Sequence, residues 1–229
     1  MIGEVADRII SCKNVWGLGA MTVCIEGLSN AGKSTFAESL AQEIRTRESY
    51  GALVIEGDGF HQGYKTAMRV YEDLIQRVGE GEGVPVDFVD QIWRLGVLEE
   101  QVLGGVAGFN STGGNRGDFD LRGVLTGKQD GTEHLERYII HPEMIVLVPG
   151  MYLRHLDGWD YSVFLDVTPD VSIARKIARD KEMGKDRDPK ITAGMVNDIE
   201  WPAMVRHNET CDDPSLTVDM NNFDRMVIK

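Results

Sequence analysis

The 229 residues predict an α/β fold: a three-layer sandwich with a central parallel sheet of about five strands and helices on both faces. Three observations carry this expectation. Apolar runs of strand length alternate with segments of helical periodicity, as crossover connections in a parallel sheet require. The runs are solidly apolar instead of alternating, which suits strands buried on both faces. A glycine-rich turn also stands between the first run and the first long periodic segment, at Gly27-Leu28-Ser29-Asn30-Ala31-Gly32-Lys33-Ser34.

Val5, Ile9 and Ile10 recur at helical spacing among charged residues, and Gly17 and Gly19 break the pattern. Residues 1–20 are therefore expected as a short helical extension on the outside of the domain. Residues 21–25 read as the first strand, and Phe36, Ala37, Leu40, Ala41 and Ile44 as the buried face of the helix after it. A second strand over 52–56 stops at Gly57-Asp58-Gly59, followed by a helix over 66–78 and a loop over 79–85. Ile92, Leu95, Leu98 and Val102 predict a helix over 90–106, and 104–117, rich in Gly, Asn and Ser, reads as a flexible connection. Strands over 144–148, 161–167 and 216–220 complete the five. A helix over 169–181 lies between the last two, with Thr168 as its cap and Pro169 in its first turn.

Composition limits the function. No apolar run approaches the roughly 20 residues that cross a bilayer, and the amino terminus, with Glu4, Asp7, Arg8 and Lys13, lacks the pattern of a secretion signal. A cytoplasmic protein is expected. Cys12, Cys24 and Cys211 show neither paired metal spacing nor a disulfide framework, so they read as reduced thiols. A net charge of −13 argues against nucleic-acid binding, which draws its affinity from Lys and Arg on phosphates. A homo-oligomer is compatible with the sequence.

The glycine turn matches G-x-x-x-x-G-K-[ST] at every fixed position and sits between a predicted strand and a predicted helix, the context that motif requires. Glycines let the backbone curl around phosphate oxygens and offer successive N–H donors at the positive end of the helix. Gly27, Ser29, Asn30, Ala31, Gly32, Lys33, Ser34 and Thr35 are thus the candidate nucleotide-binding residues, with Lys33 on the β- and γ-phosphates and Ser34 on Mg²⁺. No N-K-x-D guanine-reading sequence occurs, which lowers the reading as a GTPase switch.

Beyond this loop, four segments resemble uridine kinase and its relatives: Ile55-Glu56-Gly57-Asp58-Gly59-Phe60-His61; Tyr161-Ser162-Val163-Phe164-Leu165-Asp166-Val167; Ala174-Arg175-Lys176-Ile177-Ala178-Arg179-Asp180; and Thr217-Val218-Asp219-Met220-Asn221-Asn222-Phe223-Asp224. Pantothenate kinase and phosphoribulokinase are similar to that group. The resemblance spans most of 21–228 and implies a P-loop kinase domain over 21–229, with a substrate-side insertion at 79–131 and a mobile lid at 181–190. It implies that Asp58, at the end of the second strand, is the base for the acceptor hydroxyl; the plain alternative is a residue that shapes a Gly-Asp-Gly turn. His61 would contact substrate, or be an ordinary loop histidine. Asp87 and Asp90 fall at a spacing similar to the ribose-contacting segment, with Phe88 and Trp93 nearby to stack on a base. Acidic residues opening a helix explain Asp90 equally well. Arg175, Lys176, Arg179, Lys181, Lys185 and Arg187 stand where the family carries its lid, Arg175 for the nucleotide and Arg179 and Arg187 for the transferred phosphoryl group. The alternative is a solvated face paired with Asp180, Glu182, Asp186 and Asp188.

Two departures stand out. Uridine kinases have an acidic residue where Pro149 stands, so Mg²⁺ is left to Ser34, ATP oxygens and Asp58 or Glu26. The stretch 104–131 also matches the family poorly. The resulting expectation is an ATP- and Mg²⁺-dependent phosphotransferase acting on a hydroxyl group of a small molecule, a uridine-like nucleoside first. Alternatives are a kinase of pantothenate or a sugar derivative, a kinase of a hydroxymethylated base in DNA, and a catalytically weak nucleotide-binding regulator.

Overall fold

The computed structural model describes residues 1–85, 87–113, 115–125, 133–185 and 188–229. In chain order its elements are α1 (Ile2–Trp16), β1 (Met21–Gly27), α2 (Lys33–Arg45), β2 (Gly51–Val54), α3 (Tyr64–Gly79), α4 (Phe88–Ile92), α5 (Leu95–Leu98), α6 (Gly104–Ser111), β3 (Gly117–Leu125), β4 (Glu133–Ile140), β5 (Met144–Gly150), β6 (Tyr161–Asp166), α7 (Pro169–Glu182), α8 (Pro189–Gly194), α9 (Trp201–Thr210), β7 (Leu216–Asp219) and β8 (Val227–Ile228). π-helical turns at Glu99–Leu103 and Met195–Glu200 join α5 to α6 and α8 to α9.

The main sheet runs β2-β5-β1-β6-β7-β8. The first five strands are parallel, and β8 adds an antiparallel edge on β7. Every residue of β1 and all but the first of β5 are buried, because strands on both sides and helices on both faces cover them. The strand carboxyl ends converge on one crevice, the usual ligand position in such sheets.

The amino-terminal helix runs to 15 residues and lays Val5, Ala6 and Ile9 against the domain, where α1 packs on α2. Gly17, at φ 62°, terminates it, and the buried Lys13 ammonium donates to the carbonyls of Leu18 (2.8 Å) and Pro142 (2.7 Å). Thr168 occupies the N-cap position of α7, but its hydroxyl makes no capping bond.

Three expectations on the middle of the chain change. The helix over 90–106 is interrupted at Trp93, which forms an antiparallel bridge with His61 while Arg94 N–H donates to the Phe60 carbonyl (2.7 Å). Tertiary pairing there overrides a continuous apolar periodicity. Residues 104–111 are helix instead of a flexible connection: the stripe Leu95, Leu98, Val102, Leu103, Val106 stays buried across the glycines. The Asn110 amide ties that helix to Ala20 by two 2.8 Å bonds just before β1. Beyond it, β3 and β4 form a separate antiparallel ribbon, with the side chains of β4 alternating in exposure.

Candidate active site

The turn after β1 wraps the amino end of α2. A Cβ at Gly27 would meet the Leu165 carbonyl oxygen at 2.6 Å, and one at Gly32 (φ 94°) would meet the Phe223 ring at 2.9 Å. Glycine is required at both places so that the backbone can approach β6 and turn into the helix. Lys33 Nζ donates to the carbonyls of Gly27 (3.0 Å) and Leu28 (2.7 Å), which holds the cation over the loop. A cavity of about 390 Å³ opens above it. Ser29, Asn30, Gly32, Lys33, Ser34 and Thr35 line its floor, whereas Gly27 and Ala31 act from beneath as packing and turn residues.

The opposite wall comes from the end of β2. A single 3₁₀ turn, Gly57–Phe60, carries Asp58 into the cavity, and a Cβ on Gly57 would meet the Pro149 carbonyl at 2.7 Å, so this turn sits tightly against the end of β5. His61 is buried and accepts the Gly63 N–H on Nδ1 (3.0 Å), which leaves Nε2 to carry the proton of the neutral ring. Its ring meets Trp93 edge to face at 5.6 Å. Tyr64, Ala67, Met68, Tyr71, Met151 and Met195 extend this wall.

Helix α7 supplies the third side. Arg175, Lys176 and Arg179 line the cavity, and Arg187 lies outside the described residues. Arg175 donates to the Met220 carbonyl (2.6 Å) and lies 3.8 Å over the Phe223 ring, with burial pushing its pKa down. Among the described residues, Arg175 Nη1 and both polar atoms of the Asn30 amide are buried without a hydrogen-bond partner. Orphaned donors and an acceptor around a phosphate loop fit a nucleotide triphosphate, whose oxygens would satisfy the donors.

Carboxylates set the rest of the electrostatics. Glu26, at the end of β1, is fully buried, and its Oε2 accepts the N–H groups of Leu153 and Arg154 at 2.8 Å each, while His207 Nε2 lies 3.0 Å from Oε1. Burial raises its pKa, but the bond and charge of His207, then Arg154, overcome this and hold it below the usual carboxylate range. This carboxylate is committed to structure. Glu200, in the π turn before α9, accepts from the Ser29 hydroxyl, from the Tyr71 hydroxyl (3.3 Å) and from Lys176 Nζ (3.4 Å), so one buried acid joins the phosphate loop, α3 and α7. Burial, then the Glu200 charge, drives the Tyr71 hydroxyl well above its ordinary pKa and keeps it a donor. Glu56 accepts from Ser34 Oγ at 2.9 Å. No cage of three or more His, Cys, Asp or Glu side chains occurs among the described residues. The oxygen-only set of Ser34, Glu56 and Asp58 nonetheless suits Mg²⁺, which binds through one or two carboxylates plus phosphates and water.

Three predicted substrate residues lie elsewhere. Asp87 is exposed before α4, within 3.4 Å of the Gln91 amide. Phe88 packs edge to face on Tyr152 (5.6 Å) and lines a second cavity, of about 340 Å³, with Asp90, His155, Arg206 and His207. Sequence reasoning missed Glu200, which no motif marks, and Glu56, whose place beside Asp58 at a strand end was its one visible signal.

No family model and no curated protein matches the sequence. Solved structures do match over nearly the whole chain. A protein described provisionally as a fructose transport system kinase, from Silicibacter sp. TM1040, is 18% identical over 95% of this chain and 98% of that one, with a TM-score of 0.61. D-glycerate 3-kinase from Cryptococcus neoformans is 10% identical over 100% and 99%, TM-score 0.58. A possible uridine kinase from Bacillus stearothermophilus is 17% identical over 90% and 93%, TM-score 0.52. The chain shares the fold of these structures.

Proposed function

We propose that the chain is an ATP-dependent kinase that transfers the γ-phosphoryl group to a hydroxyl of a small, uncharged acceptor, a nucleoside first. The observation that carries this reading is that Asp58 shares one cavity with Lys33 and Ser34, so a strand-end carboxylate faces the phosphate loop. ATP would be gripped by the loop N–H groups at the positive end of α2, by Lys33 and by Arg175. Ser34, with an acid from a neighbouring strand, would hold Mg²⁺, which when bound neutralises charge on the transferred group. Asp58 orients the acceptor hydroxyl and takes its proton as the new O–P bond forms and the bond to ADP breaks. A loose transition state demands little more of a base. Arg179 adds positive charge from α7, and the apolar wall excludes water that would otherwise hydrolyse ATP.

The distribution of charge supports an uncharged acceptor. Among the described residues, the Lys and Arg side chains that line the cavity, Lys33, Arg175, Lys176 and Arg179, belong to the phosphate loop and α7. Among the described residues the acceptor wall offers His61, Tyr64, Tyr71 and Trp93 with Met68 and Met151, groups that stack and donate hydrogen bonds without the fixed positive charge of a Lys or Arg. Nucleosides therefore rank ahead of pantothenate and phosphorylated sugars.

The test incubates ATP and Mg²⁺ with nucleosides, pantothenate and sugars and follows ADP release. ADP rises with one neutral acceptor, and Asp58→Asn slows that rate by at least ~10²-fold while ATP still binds. Tight ATP binding without acceptor-dependent turnover overturns the kinase reading, and full activity in Asp58→Asn overturns the base assignment.

A further inference from the structure

In a phosphate loop of this type the serine hydroxyl is a ligand of the nucleotide's Mg²⁺, and an acid from a neighbouring strand completes the protein's share. The strand that should provide it is β5, which lies directly beside β1 with Ile25 level with Pro149. Its end carries a proline. Pro149 has no carboxylate, and its missing N–H does little harm: Leu147, two residues earlier, faces β2 and accepts the Ile55 N–H (2.9 Å), and paired strand ends there.

We infer that the carboxylate of the divalent-cation site has changed strands: Glu56, two residues past the end of β2, supplies it. Strand β2 flanks β5 on the side away from β1. Their parallel register sets Val54 level with Leu147, and Glu56 follows two residues past that last pair. Its Oε2 stands 2.9 Å from Ser34 Oγ. Adjacent oxygens in an octahedral shell of radius about 2.05 Å are about 2.9 Å apart, so Ser34 and Glu56 are spaced as two ligands of one Mg²⁺ would be. Two buried acids behind the loop serve the scaffold, and Asp58 is assigned above to the acceptor hydroxyl. Glu26 is buried on the N–H groups of Leu153 and Arg154 and on His207, and Glu200 on Ser29, Tyr71 and Lys176.

This assignment rests on the nucleotide-binding reading above, so the experiment separates the two. Mn²⁺ serves as the probe: the 229-residue chain, saturated with a non-hydrolysable ATP analogue, is titrated and free Mn²⁺ is followed by electron paramagnetic resonance. Analogue binding is also measured in EDTA with a fluorescent derivative. Glu56→Gln weakens Mn²⁺ at least ~10-fold and leaves binding in EDTA within about twofold of the wild type. Adding Pro149→Glu to Glu56→Gln, which returns an acid to β5, recovers Mn²⁺ affinity; Glu56→Asp, a milder change, falls between wild type and Glu56→Gln. Unaltered Mn²⁺ affinity in Glu56→Gln, with loss in Asp58→Asn instead, overturns the assignment while nucleotide binding stands. Failure of the wild-type chain to bind the analogue at all overturns both.

Discussion

Replacing Glu26 tests whether the buried carboxylate behind the phosphate loop is structural. Glu26 has no exposed surface, and the side chains of its partners Arg154 and His207 are 4% and 8% exposed. Leucine at this position strands the Leu153 and Arg154 N–H groups and leaves two buried cationic or ionisable partners uncompensated. Removing one member of such a pair costs about 3–5 kcal/mol. The unpaired N–H groups add about 1–3 kcal/mol each in isolation. The terms overlap, and Arg154 keeps Asn208 and the Asp212 carbonyl (3.0 Å), so roughly 4–6 kcal/mol is expected. At about 2–4 °C per kcal/mol for a chain this long, Glu26→Leu lowers the melting temperature by roughly 10–20 °C. Glutamine keeps a carbonyl for the backbone donors and loses only the charge, worth about 1.5–3 kcal/mol, or roughly 4–10 °C. The sign with pH follows from the depressed folded pKa. The carboxylate's contribution is present in full above its unfolded pKa and is lost as pH falls through the folded one, so the gap between wild type and Glu26→Gln is largest at neutral pH and closes in acid. Thermal melts followed by circular dichroism read all three effects. A Glu26→Leu protein that melts within about 2 °C of wild type refutes the reasoning.

Lys33→Met should weaken a fluorescent ATP analogue at least ~10-fold, the value of one charge-assisted bond to phosphate, while the melting temperature stays near wild type; affinity within twofold would contradict it. Glu200→Gln leaves Lys176 buried and unpaired, costing about 3 kcal/mol or roughly 6–12 °C, and adding Lys176→Met should restore most of the loss; a double variant no better than the single one sinks the coupling. Asp219 is held at about 2, first by the Asn221 N–H and then by Lys229, so it stabilises the β7–β8 edge above its unfolded pKa and loses that effect as pH falls toward 2. Being partly exposed, the pair is worth less than about 1 kcal/mol: Asp219→Asn should melt slightly lower than wild type at pH 7 and converge with it in acid, and a constant gap down to pH 3 would count against the assignment.

The parts of the site legible in the sequence are those whose chemistry needs contiguous residues. The phosphate loop is one, because a backbone wrapped around phosphate dictates glycines at fixed intervals beside a lysine and a serine. Asp58 is another, because a buried apolar strand that stops at an acid puts that acid at the carboxyl edge of a parallel sheet. Helical periodicity could not show that residues 60–62 pair with the segment at Trp93, nor that Phe88 turns to Tyr152 and a second cavity. Glycine content made 104–111 read as loop, although one apolar stripe and Asn110 keep it helical.

Glu200 shows the limit most clearly. It meets Ser29 across 171 residues and Tyr71 across 129, and its neighbours in the chain carry no pattern that announces it. Glu56 was in plain view beside Asp58, yet its relation to Ser34 depends on which strand lies next to β5 and in what register. Periodicity marked the strands and helices of the parallel layer, since those depend on residues within one or two turns, but not the break at Trp93 or the β3–β4 ribbon. Strand order, register and the choice of which acid faces which hydroxyl come from packing between distant segments, so for this chain the address of the phosphates is local and the partners around them are tertiary.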